Sequence, residues 1–168
     1  GKGVARLQPA GRFVLVTDEH GTRAYSVKSL LRRLNVHVRP HTYLLQQYIP
    51  LARLGGRPFD LRVPVQRDGE GSWVVAGVVA KVAVRNPFLT NLAQGGRALP
   101  AADVLGAVFT PRRAAAILDD VRRLAVDVAE AVTRDFPEAA DLGLDVGVDV
   151  RGKPWLIEVN ARDQRVTF

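Results

Sequence analysis

Cysteine is absent from this 168-residue chain, and its absence removes two classes of answer. Without thiols there is neither a disulfide framework nor a thiolate metal centre. Histidine is scarce, with His20, His37 and His41 scattered through the first quarter of the chain. No Ser/His/Asp or Cys/His nucleophilic set can be built from them. Aromatic residues make up 7% and are not interleaved with the basic ones, which ranks a nucleic-acid-binding role behind the others. Long apolar runs are missing and no signal-peptide pattern opens the chain, so it reads as a soluble, cytoplasmic protein with no membrane partner. Walker and Rossmann glycine fingerprints are also missing, so a nucleotide would have to be held another way.

The chain has a hydrophobic fraction of 47%, enough residues for a buried core, and a net charge of +7. Only four of its 24 basic residues are lysine. Arginine grips phosphate or carboxylate with a planar fork, so anionic ligands fit the excess. A composition rich in Ala, Val, Arg and Gly explains it equally well.

Residues 12–17 read as a strand and 18–21 as its turn. Ser26 to Leu34 reads as a short helix, with Ser26 as N-cap and Leu30, Leu31 and Leu34 on one face. Residues 43–48 read as extended and closed by Pro50, with a Gly55-Gly56 loop after them. A hairpin is expected over 59–67 and 72–82, then an irregular loop over 85–98. Thr110-Pro111 starts a long helix whose 3.6-residue period runs through Ile117, Val121, Ala125 and Val132 to Asp135. Hairpins with one long packing helix indicate α+β.

The last hairpin, 143–150 with 153–160, is the most informative. A two-residue Arg151-Gly152 turn sets Asp145 opposite Glu158, and Asn160 follows on the same face. The other face is expected to hold Leu144, Val146, Val148, Trp155, Ile157 and Val159. Two carboxylates and an amide at one end of a stiff ribbon suit Mg²⁺, which takes few protein ligands and leaves room for water and phosphate. A solvated strand face would give the same alternation. Asp149, near the turn, is the lesser candidate.

Other motifs are weaker alone. Phe59-Asp-Leu-Arg-Val63 sets Asp60 and Arg62 on one strand face, either as a phosphate grip or as a surface ion pair. Lys81 on the returning strand would extend a cationic wall. Thr90-Asn-Leu-Ala-Gln-Gly-Gly-Arg97 suits an anion-facing loop or an ordinary turn. Gln46-Gln-Tyr-Ile-Pro50 suits contact with an adenine edge at a strand exit.

Taken in order, Gln46-Gln-Tyr-Ile, Asp60-Leu-Arg, Thr90-Asn with Gly95-Gly96, Asp145 and Glu158-Val-Asn160-Ala161 resemble the ATP-grasp superfamily, and within it the YheC/YheD-like branch associated with endospore coats. The resemblance implies antiparallel sheets with packing helices: residues 1–48 as part of the small lobe and 49–168 as the large lobe. It implies an ATP- and Mg²⁺-dependent ligase, with Mn²⁺ an alternative ion, joining a small carboxylate to an amine or thiol through an acyl-phosphate. A non-catalytic, coat-associated module is the second reading, with spore association possible for either.

By the same resemblance Gln46, Gln47, Tyr48 and Ile49 meet the nucleotide base, while Lys2, Arg62 and Lys81 meet its phosphates. Asp145, Glu158 and Asn160 hold the metal. Arg62, Asn91 and Arg162 serve catalysis. The pattern departs at Gln47, where glutamate is usual, at Lys81, where arginine is usual, and at Ala161 to Arg165 in place of a Pro-Gly turn. Gly1-Lys2-Gly3 looks like the end of a glycine-rich loop, so the chain is expected to be a C-terminal portion, incomplete at the N-terminus.

Overall fold

The computed structural model describes residues 4–18, 20–38, 44–83 and 97–160, the side chains of 36–38 excepted. The chain divides into two units, Gly1–Tyr48 and Ile49–Phe168, each with its own sheet.

In the first unit β1 (Arg6–Ala10), β2 (Phe13–Asp18) and β3 (Gly21–Ser26) form an antiparallel meander. The sequence announces β2 alone, because β1 and β3 carry little apolar alternation. Their pairing is set by turns, with Gly11 at φ 59° and Gly21 at φ 115°. Ser26 caps α1 (Val27–Val38) as expected, accepting the Ser29 N–H at 3.2 Å. Of the expected apolar face, Leu30 is buried in this unit while Leu31 and Leu34 stay exposed.

Residues 44–50 have no regular structure, so the extended strand expected there is absent from its described part. Apolar content alone does not make a strand; it also takes a neighbouring strand to pair with along its length. The second unit begins with a hairpin where the sequence predicts a loop. β4 (Arg53–Leu54) turns at Gly55-Gly56, with φ 54° and 79°, into β5 (Arg57–Arg67). Two successive positive φ values make the type I′ turn that matches strand twist.

The strand returning beside β5 is broken into β6 (Trp73–Val75) and β7 (Val79–Val82). Pro64 lies opposite the break: its carbonyl accepts from Ala76 at 3.0 Å, but it has no N–H to return. β8 (Arg97–Pro100), read from sequence as loop in its first two residues, then pairs with β7.

Two helices follow, α2 (Ala101–Val108) and α3 (Pro111–Asp135), then β9 (Asp141–Val148) and β10 (Pro154–Asn160). Thr110 stands at the N-cap of α3 as expected, although its hydroxyl makes no cap hydrogen bond. The sheet runs β10-β9-β5-β7-β8, antiparallel throughout, with β4 and β6 also on β5.

Alternation divides this sheet into two faces. Phe59, Leu61, Val63 and Val65 of β5 and Leu142, Leu144, Val146 and Val148 of β9 are buried with Val104, Leu105, Ile117, Val121, Ala125 and Ala129 of the helices. Ile117, Val121, Ala125 and Ala129 recur every four residues, which keeps one stripe of α3 on the sheet. Fully burying a leucine or valine contributes about 1.5–3 kcal/mol, so this face carries most of the unit's stability. The opposite face carries the polar residues.

Candidate functional site

β5 and β9 run side by side, with Asp60 opposite Gly147 and Arg62 opposite Asp145. On the other side of β5, Asp60 lies opposite Lys81 of β7. Register alone therefore gathers two carboxylates and two cations on the face that the helices leave open. Asp145 Oδ1 accepts from Lys81 Nζ at 2.9 Å and from Arg62 Nη1 at 3.2 Å. Lys81 Nζ also lies 3.2 Å from Asp60 Oδ2. These four side chains are only 8–14% exposed.

Asp60 and Arg62 thus share a face as the sequence suggested, but they are not a solvated surface pair. Their ionic partners lie across strands. Desolvating such charges costs several kcal/mol per ion, and ion pairing offsets this only when the geometry is good. A network this buried is a poor device for stability and a reasonable one for gripping charge.

The hairpin β9–β10 brings Glu158 opposite Asp145 and Asn160 opposite Gly143, as expected, but by a different route. The turn has three residues, Val150-Arg151-Gly152, closed by the Asp149 N–H to the Lys153 carbonyl at 3.0 Å. Gly152 takes the left-handed position at φ 79°. This offsets the pairing by one from Pro154 to Leu156, and an irregularity at Ile157 restores it from Glu158 onward. The correction changes the faces. Trp155 pairs with Gly147 and so lies on the carboxylate side, while Leu156 pairs with Val146. Glu158 is exposed and Asn160 is half-buried, its Nδ2 3.5 Å from the Gly143 carbonyl.

Asp149 is buried beside the turn, and its carboxylate is taken up within the hairpin. Its Oδ1 accepts the N–H groups of Arg151 at 2.8 Å and Lys153 at 2.9 Å, and its Oδ2 accepts the Trp155 indole N–H at 3.1 Å. Burial by itself would raise its pKa. The Lys153 N–H, the Trp155 indole, the Arg151 N–H and the Arg151 charge outweigh that and hold it below the ordinary 3.8. The same turn is tied outward. Arg113 donates to the Arg151 carbonyl at 2.9 Å, and Pro50 to Ala52 lie along the end of the hairpin through Val150 N–H to Pro50 O (3.0 Å) and Ala52 N–H to Val148 O (2.8 Å).

Gly147, on the carboxylate face of β9, marks a close approach. A Cβ there would come within 2.7 Å of Leu51 Cδ2 and 3.0 Å of Ile157 Cδ1. Leu51 and Ile157 therefore converge over a bare stretch of backbone two residues along the strand from Asp145, on the same face. A glycine inside a buried strand is the signal that a close approach is needed.

The remaining expected residues lie in the first unit, at the start of the second, or outside the described residues. Gln46, Gln47 and Tyr48 are exposed and belong to the first unit, where the Arg6 guanidinium stacks 4.0 Å from the Tyr48 ring centre. Ile49 opens the second unit. Lys2, Asn91 and Arg162 lie outside the described residues. Among the described residues no group of three His, Cys, Asp or Glu side chains stands ready for a metal, so a metal site here would rest on Asp145 and Glu158 with the amide of Asn160. That donor set suits Mg²⁺, which takes one or two carboxylates and fills its other positions with water and phosphate oxygens. No helix among the described residues is long and apolar enough to cross a membrane.

The chain is 30% identical over 142 residues to the endospore coat-associated protein YheD of Bacillus subtilis (strain 168), covering 83% of this chain and 30% of YheD. With the endospore coat-associated protein YheC of the same organism it is 24% identical over 169 residues, covering 98% and 46% respectively. The chain thus spans less than half the length of either relative. Among solved structures it is similar to the C-terminal domain from K. lactis Pby1, an ATP-grasp enzyme interacting with the mRNA decapping enzyme Dcp2. That match has 18% identity and TM-score 0.49, and covers 92% of this chain and 48% of the other. The YheC/D-like ATP-grasp family matches residues 1–168, and the chain belongs to that family, an ATP-grasp α+β fold of antiparallel sheets and packing helices.

Proposed function

We propose that this chain is the nucleotide-binding part of an ATP- and Mg²⁺-dependent ligase that joins a small carboxylate to an amine or thiol. The observation that carries the reading is the gathering of Arg62 and Lys81 on Asp145, with Glu158 paired opposite it, on the face of one sheet away from α2 and α3. Phosphoryl transfer asks little covalent chemistry of a protein. It needs fixed cations and a metal to absorb charge on the transferred group. Residues 1–48 are assigned to the small lobe and 49–168 to the large one.

Each group has a role in this reading. Arg62 and Lys81 contact the phosphates, with Lys2 at the glycine-rich segment, and Arg62 steadies the transferred group. Asp145, Glu158 and Asn160 hold Mg²⁺ (or Mn²⁺), which when bound neutralises phosphate charge. Gln46, Gln47, Tyr48 and Ile49 supply the edge that reads adenine, with backbone groups of Gln47 and Ile49 foremost. Leu51 and Ile157, converging over Gly147, supply apolar contact beside it. Asn91 stands near the γ-phosphate and Arg162 near the acceptor. A substrate carboxylate oxygen attacks the γ-phosphorus and ADP leaves. The amine or thiol then attacks the acyl carbon, and phosphate leaves. The location assigned is cytoplasmic, with spore association suggested by the names of the two curated relatives.

The test is ADP release from the full chain, with ATP and Mg²⁺, across a library of small acids paired with amines and thiols. Turnover that needs both partners supports the ligase. Metal-dependent nucleotide binding without turnover across the library points instead to a non-catalytic or coat-associated module. Loss of neither binding nor turnover in Asp145→Ala and Glu158→Ala rejects the site.

A further inference from the structure

We propose that Lys81 stands in for the metal's charge at Asp145, and that metal and phosphate therefore bind this site as mutually dependent partners; the inference rests on the reading of the site given above. Lys81 is set opposite Asp60 by register, yet its ammonium reaches diagonally across β5 to Asp145 at 2.9 Å, closer than the 3.2 Å to Asp60 itself. Arg62 Nη1 approaches the same Asp145 oxygen at 3.2 Å. Two cations thus converge on the oxygen that a divalent ion would need.

In a partly desolvated setting, like charges brought to contact distance repel strongly, so Asp145 in this arrangement is a poor ligand for a divalent ion alone. Lysine is a point charge on a flexible stem with three donors, and it can turn to a new acceptor where a planar arginine fork would be held by geometry. A phosphate chain offers strong acceptors that draw Lys81 away and release Asp145. The coupling is reciprocal: whatever phosphate does for the metal, the metal does for phosphate. Lys81 is thus a positioning residue for Asp145 as well as a phosphate contact.

The test uses Mn²⁺ alone as the probe, with free ion counted by electron paramagnetic resonance, and ADP in EDTA measured separately by calorimetry. Lys81→Met should bind Mn²⁺ alone about tenfold tighter than the unaltered chain, within the 5–150-fold range typical of coupled sites. Its ADP affinity in EDTA should fall. Lys81→Arg should keep the weak Mn²⁺ binding. If Lys81→Met folds poorly, Asp60→Asn/Lys81→Met removes one charge of each sign and should give the same gain. Adding Glu158→Gln should abolish the gain, which locates the ion at the hairpin.

Mn²⁺ affinity unchanged within about twofold in both variants carrying Lys81→Met, or a gain that survives Glu158→Gln, overturns the proposal. If the unaltered chain still binds ADP with Mn²⁺ in a manner requiring Asp145 and Glu158, only the role given to Lys81 fails. If it binds neither under any condition, the reading of the site fails and this inference with it.

Discussion

Replacing Asp149 by asparagine changes one buried group that three N–H donors of the hairpin share. The carboxylate accepts from Arg151, Lys153 and the Trp155 indole at 2.8–3.1 Å and is 8% exposed. Asparagine keeps the shape but loses the charge, and its amide group must face at least one N–H, donor against donor. Hydrogen bonds to a charged acceptor are worth about 1.5–3 kcal/mol against about 0.5–1.5 for neutral pairs, so the substitution should cost about 2–3 kcal/mol at pH 7.

The pH dependence follows from the sign of the shift. Burial pushes the Asp149 pKa up, but the Lys153 N–H, the indole, the Arg151 N–H and the Arg151 charge bring it below 3.8. A carboxyl depressed in the folded state stabilises fully above its unfolded pKa and loses that contribution as pH falls through the folded value. The gap between parent and variant should therefore be widest from pH 5 upward, and it should close below pH 4. Urea unfolding followed by tryptophan fluorescence measures it, because Trp73 and Trp155 both lie in the second unit. A gap under about 0.5 kcal/mol at pH 7, the scatter of ordinary surface changes, would refute the reasoning. So would a gap as large at pH 3 as at pH 7.

Three further outcomes follow from the hairpin. Gly152→Ala should cost about 2 kcal/mol in the same unfolding assay, since φ is 79° and the added Cβ would meet Ile117 Cδ1 at 2.7 Å and Arg113 Nε at 2.9 Å. Trp155→Phe should cost about 1 kcal/mol at pH 7 by removing one donor to Asp149, with the loss vanishing in an Asp149→Asn background. Deleting Ile157 should leave Glu158 opposite Asp145 on a regular ladder, because the irregularity carries the one extra residue. Magnesium-dependent nucleotide binding should survive that deletion while overall nucleotide affinity drops; disappearance of the metal dependence would contradict the register argument.

Of the helix-facing half of the fold, α3 and the strands it packs on were legible because their signals are local, whereas α2 (Ala101–Val108) was not. Thr110-Pro111 and a four-residue apolar recurrence announce α3, and the alternation in β5 and β9 announces the sheet. β1, β3 and β4 were not legible, because turn glycines and neighbouring strands, rather than their own composition, make them strands. Residues 44–50 failed in the opposite sense, being apolar but lacking a described partner strand.

At the site, the opposition of Asp145 and Glu158 was reached from a two-residue turn, whereas the chain uses a three-residue turn and a compensating extra residue. Two offsets of one residue cancel at the metal end and leave Trp155 on the carboxylate face. The cross-strand grip of Lys81 on Asp145 depends on a diagonal contact over 64 positions, which no local pattern encodes. Asp149 carried a faint signal, an aspartate opening an Arg-Gly turn, where its carboxylate is well placed to take backbone N–H groups.

The central claim is that Asp145 and Glu158 share one divalent ion beside a bound nucleotide, and ADP titration with and without Mg²⁺ tests it most directly. In the unaltered chain Mg²⁺ should tighten ADP by about tenfold or more, while in Asp145→Asn and Glu158→Gln the enhancement should shrink below about twofold. An enhancement that persists undiminished in both variants would contradict the account.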